Sequence, residues 1–204
     1  MQRAAAAKTP GLVTTKWLWT QITNKTPGLA VIDGAWHMPH TERSARDEHA
    51  EKHLPGAVFF DIDDCCDKSS PYGHMLPSAD KFASYVGNLG IDNSTHVVIY
   101  DNNEQLGLFS AQRVWWTFRV FGHSLVSVLD GGLAKWIADG YDTTKDVSAV
   151  EAKRFNVTCQ KHFVKSFDDI QENFNSRQFQ VLDARSTGRF NGTAPEPRQG
   201  TCHS

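Results

Sequence analysis

Two kinds of apolar pattern alternate along this chain. Short unbroken runs occur at residues 29–33 (LAVID), 57–61, 96–101 and 125–129. Each is bounded by turn residues and has the length of a buried strand. Between them, apolar residues recur every three to four positions. Trp17, Leu18 and Ile22 follow a possible cap at Thr14 or Thr15. Phe82, Tyr85, Val86 and Leu89 follow Ser78 and stop at Gly90. Val114, Trp115, Phe118 and Phe121 mark a helix over 109–121, and Leu133 and Trp136 mark one after the Asp130-Gly131-Gly132 turn. Residues 43–53 form a charged helix, and 64–77 a polar loop. Strand–helix units of this length predict an α/β fold, a parallel sheet covered by helices on both faces.

After Tyr141 the pattern lapses and then restarts. Residues 142–160 read as a linker between a first domain at 1–141 and a second unit at 161–204. In that unit 164–174 repeats the first helix, and 179–183 (FQVLD) repeats LAVID, each run closing on Asp, at Asp33 and Asp183. About 40 residues are too few to complete a second covered sheet, so this copy is expected to be cut short. It should expose apolar surface unless it packs on the first domain, and a protease should cut after about Tyr141.

Composition narrows the function classes. Apolar residues make up 40% and aromatics 11% of the 204 residues, which excludes a disordered or low-complexity chain. Lys and Arg number 21 against 23 Asp and Glu, so no basic field exists to hold nucleic acid. No apolar run approaches the roughly 18–20 residues of a membrane helix, so no membrane partner is expected. Four scattered cysteines fit a reducing compartment rather than a disulfide framework. The expected location is cytoplasmic or mitochondrial; Arg3, Lys8, Lys16 and Lys25, with no acid before Asp33, faintly suggest a mitochondrial leader. The Asn-x-Ser/Thr triplets at Asn24, Asn93, Asn156 and Asn191 are read as chance matches.

Most chemical motifs fail on spacing. His49 and His53 flank Glu51 in the order H-A-E-K-H, whereas a zinc-binding helix needs H-E-x-x-H; a solvated helix face is expected and no metal. Phosphate loops and the G-x-S-x-G elbow are absent, and no cofactor is implied. Cys65 and Cys66 lie among Asp61, Asp63, Asp64 and Asp67, whose charge opposes thiolate formation. Cys202-His203 imitates a nucleophile–base pair at the chain end and reads as a tail. Arg113 and Arg119 are expected as structural ion-pair or cap residues.

Residues 57–63 (AVFFDID), 70–77 (SPYGHMLP), 96–101 (HVVIYD), 110–123 (SAQRVWWTFRVFGH) and 126–136 (VSVLDGGLAKW) together resemble the tandem-rhodanese sulfurtransferases, closer to the 3-mercaptopyruvate branch than to the thiosulfate branch. The resemblance runs from about Val13 to Gly200. It implies two rhodanese-like domains, the first silent and the second carrying a Cys that accepts sulfur as a persulfide. The donor would be 3-mercaptopyruvate or thiosulfate, and the acceptor cyanide or a thiol such as thioredoxin. A thiolate suits this chemistry because it is both a soft nucleophile and a good leaving group. The resemblance puts Asp101 at the position of the Cys in the first domain. It assigns Asp63 and His74 to a proton relay, and Arg189 and Arg198 to the substrate's carboxylate and keto group, a task that suits the planar guanidinium. His74 could instead hold a loop, and either arginine an interface salt bridge. The Cys loop of the second domain is not among the 204 residues, so this chain is expected to be a truncated and inactive form of a sulfurtransferase. The alternative is a non-catalytic binding module or an isoform without a role.

Overall fold

The computed structural model describes residues 9–104 and 108–196. It divides into two compact units, Met1–Val164 and Lys165–Ser204.

The first unit is built on a five-stranded, all-parallel sheet in the order β1-β5-β4-β2-β3. The strands are β1 Leu12–Val13, β2 Leu29–Asp33, β3 Ala57–Phe59, β4 His96–Tyr100 and β5 Val126–Leu129. In β2 and β4 successive side chains enter opposite cores. Ile32, Val97 and Ile99 pack with α3 (Ala79–Asn88) and α4 (Ala111–Val120) through Phe82, Val86, Val114 and Phe118. Val31, Val98 and Tyr100 face α1 (Thr15–Thr23) and α5 (Gly132–Ala138) through Leu18, Leu133 and Trp136. This is the covered parallel sheet that the apolar runs predict. The caps also follow the sequence: Thr14, Ser44 and Ser78 each accept a backbone N–H at the start of α1, α2 (Ala45–Glu51) and α3.

Residues 142–160 are not free chain. Phe155 is buried against Phe82, edge to face at 5.6 Å. The backbone N–H of Lys153 donates to Gly87, that of Thr158 to Phe121 and that of Gln160 to Val120. The segment is a strap across the ends of α3 and α4. Its polar, aperiodic sequence hid this because backbone hydrogen bonds, which leave no side-chain pattern, share the attachment with Phe155.

The second unit holds α6 (Phe167–Ser176) and α7 (Thr187–Phe190). Ser166 and Asp169 form a reciprocal capping box that starts α6 later than the sequence pattern predicts. The expected strand at 179–183 does not form. Val181 is 63% and Leu182 86% exposed, with no neighbouring strand among the described residues of the unit. A strand needs a ladder partner, and none is present there. Phe167, Phe174 and Phe190 are also exposed. Among the described residues no helix is long and apolar enough to cross a membrane.

Candidate functional site

In a parallel α/β sheet the loops at the carboxyl ends of the strands build the binding crevice. Here that edge is acidic: Asp33 ends β2, Asp101 follows β4, and Asp61 and Asp63 follow β3. Asp101 is buried, and its Oδ2 accepts three successive backbone N–H groups, from Phe109 (2.7 Å), Ser110 (2.8 Å) and Ala111 (2.9 Å). Ser110 and Ala111 supply unpaired donors at the start of α4, where the helix dipole also favours negative charge, and Phe109 stands just before them. The loop after β4 thus forms a cradle for one anion, and the chain's own carboxylate fills it.

Asp63 and His74 are brought together. His74 Nε2–H donates to Asp63 Oδ1 at 2.7 Å, since an ionised carboxylate can only accept. Asp63 Oδ2 accepts the indole N–H of Trp36 at 3.0 Å, and the Trp36 ring meets the His74 imidazole edge-on at 4.7 Å. His74 has φ +60, a left-handed conformation uncommon outside glycine, and Arg113 donates to its backbone carbonyl. Trp36, His37, Arg43, Arg46, Asp61 and Asp63 line a cavity of about 370 Å³ beside this pair. Of these lining residues, Arg43 donates two hydrogen bonds to Glu48 (2.7 Å each), and His37 Nε2 pairs with the same carboxylate at 3.0 Å. The Arg43 hydrogen bonds hold the Glu48 carboxyl below the usual carboxylate range.

The other sequence candidates separate. Arg189 lies in the second unit, where its Nε and Nη2 grip Glu196 Oε2 at 3.0 and 2.6 Å. Arg185 also donates to Glu196 and forms a fork on Asp183. Arg198, Cys202 and His203 lie outside the described residues. Cys65 and Cys66 are buried, and the Cys65 thiol is pushed up to about 12, mainly by burial rather than by the neighbouring acids. His49 and His53 do not form a solvated face. His53 is buried, its ring stacks on His49 at 4.2 Å, and His49 Nδ1 pairs with the buried Asp33 at 2.9 Å. Arg113 and Arg119 lie over Trp116 and Trp115 at 4.7 and 5.7 Å, so aromatic faces take the place of the expected ion pairs or caps. Trp36 and the Glu48 cluster escaped the sequence reading. The one available signal was position: Trp36 stands three residues beyond the end of β2, on the edge where ligands bind.

The comparisons with known proteins agree with this architecture. The Rhodanese-like domain family matches residues 42–139. The solved structure of the Escherichia coli 3-mercaptopyruvate sulfotransferase SseA superposes with a TM-score of 0.82 at 35% identity, covering 94% of this chain and 72% of that one. The chain belongs to the rhodanese family. Human 3-mercaptopyruvate sulfurtransferase is 49% identical over 191 residues, which is 93% of this chain and 64% of that protein. Bovine thiosulfate sulfurtransferase is 50% identical over 188 residues, 91% of this chain and 63% of that protein. The chain therefore spans under two thirds of the length of these relatives. Within the rhodanese fold, Asp101 occupies the loop between β4 and α4, and the Asp63–His74 pair stands on the loop after β3, beyond β2 along the same edge.

Proposed function

We propose that this chain serves a sulfurtransferase that moves a sulfane sulfur from 3-mercaptopyruvate or thiosulfate to a thiol or cyanide, and that its first rhodanese unit plays the non-nucleophilic part. The observation carrying this reading is the Asp101 cradle. A persulfide-forming thiolate is an anion that backbone N–H groups can stabilise. Here those groups are already satisfied by a carboxylate, which can neither accept sulfur nor release it. The contribution of this unit is then proton handling by Asp63 and His74, with Arg189 and Arg198 holding the donor's carboxylate and keto oxygen in the second unit. An imidazole oriented by a carboxylate is a competent relay. Residues 161–204 are the opening of a second rhodanese-like domain in this reading.

Treating the purified chain with 3-mercaptopyruvate and dithiothreitol tests it. Pyruvate and sulfide should stay near the protein-free background, and mass spectrometry should find no cysteine persulfide. Robust turnover, or a persulfide on any of the four cysteines, would overturn the assignment.

A further inference from the structure

We propose that Trp36 is the positioning residue of the Asp63–His74 pair, and that the buried Asp101 carboxylate, acting through Phe109, holds Trp36 in place. The contacts form one connected path. Asp101 Oδ2 fixes the backbone of Phe109 at 2.7 Å. The Phe109 ring stacks on Trp36, with centroids 6.1 Å apart and planes 21° from parallel. The Trp36 indole N–H takes Asp63 Oδ2 at 3.0 Å, which leaves Oδ1 for His74 Nε2 at 2.7 Å.

Both ends of the pair need such help. The Asp63 side chain is 61% exposed, and a carboxylate in water rotates freely and exchanges its partners for solvent. The indole removes that freedom by occupying one oxygen. The same ring presses edge-on against the imidazole at 84°, an orientation favoured between aromatic rings. Arg113, on the helix whose start forms the Asp101 cradle, anchors the backbone of His74 from the other side. With Nε2 committed to Asp63, Nδ1 is the nitrogen that can exchange a proton with a reacting group. Asp101 thus has a task beyond replacing a nucleophile: it rigidifies the loop that aims the relay.

This inference rests on the relay reading given above, but its test needs no turnover. In the ¹H NMR spectrum of the intact chain, the His74 Nε2 proton, assigned by its loss in His74→Gln, should appear downfield and exchange slowly with water. Trp36→Phe keeps an aromatic ring but removes the N–H, and should speed that exchange at least about tenfold. Phe109→Leu removes the stack while leaving the backbone donors to Asp101, and should act in the same direction. Trp115→Phe also removes an indole hydrogen bond, to the Val126 carbonyl at 3.0 Å, and should leave the His74 proton unchanged. An exchange rate within about twofold of wild type in Trp36→Phe would overturn the positioning role. A change in Trp36→Phe but none in Phe109→Leu would overturn the part given to Asp101. The sulfur-transfer reading stands or falls separately, on the pyruvate and persulfide measurements.

Discussion

Residues 29–33 and 179–183 carry almost the same pattern, and they have opposite fates. In the first unit LAVID lies between β3 and β4, paired in register with both, and Ile32 is fully buried. In the second unit FQVLD forms no strand, and Leu182 is 86% exposed. The closing acids differ in the same way. Asp33 is buried and accepts from the Ala35 backbone at 3.0 Å and the Tyr100 hydroxyl at 3.2 Å, whereas Asp183 pairs with exposed Arg185 two residues away. A short apolar run therefore encodes the capacity to be a strand; its neighbours decide whether that capacity is used. Paired substitutions put this contrast to its hardest test. Ile32→Ala should cost about 3 kcal/mol of unfolding free energy, the usual penalty for an emptied core site. Leu182→Ala should stay within about 0.5 kcal/mol. Urea denaturation of both variants checks the pair, and a comparable loss from Leu182→Ala would show that the second unit has a core like the first.

The strap at 142–160 sharpens the contrast between the units, because a stretch with linker composition belongs structurally to the first. Two glycines admit it. Gly122 has φ +88, and a methyl group there would strike the carbonyl oxygen of Thr158. Gly87 sits equally close beneath the carbonyl of Lys153. Both the left-handed backbone and the close approach favour glycine at 122. Gly122→Ala should cost about 2 kcal/mol and loosen the strap. The wild-type chain should resist limited proteolysis through the strap and be cut beyond Val164, where the two units divide. The Gly122 variant should gain a cut between 142 and 160. Early cleavage near Tyr141 in the wild type would return that segment to the linker that its sequence suggests.

The fold was more legible than the site, for a physical reason. Strand runs and helix faces repeat at the periods that backbone geometry imposes, so Phe82, Val86 and Phe118 announce a core face from spacing alone. Ser78 and Thr14 announce helix starts because orphan N–H groups need an acceptor. The site has no such period. Asp63 and His74 meet across a polar loop, and only the resemblance to rhodaneses pairs them in the sequence. Trp36 and Arg113 come from two further segments, and nothing local in the sequence says that an indole will bind Asp63. The misreading of His53 has the same origin. Its i, i+4 spacing from His49 suggests a shared helix face, but α2 ends at Glu51, and His53 is held beyond it by Thr144 and Asp146, which reach it from far along the chain.

The smallest expected effect concerns pH, and it belongs to the first unit. Burial lowers the basicity of His123, whose Nε2–H donates to the Thr95 carbonyl at 2.9 Å, and of His96, whose Nε2–H reaches Ser127 at 2.9 Å. Both rings are therefore neutral in the folded state at a pH where the unfolded chain binds protons. The unfolded state then gains protons on acidification that the folded state does not, so stability rises with pH through this window and is lost as pH falls below about 6.5, the ordinary histidine value. The loss between pH 7.5 and 5.5 should be on the order of 1 kcal/mol or less, since the half-buried His96 is screened by solvent. Urea midpoints across that range should show it. His123→Gln should flatten the slope, whereas removal of His162, which lies on the surface near the end of the strap, should leave it unchanged. A slope undiminished in His123→Gln would remove His123 from this account and leave the acid sensitivity to His96.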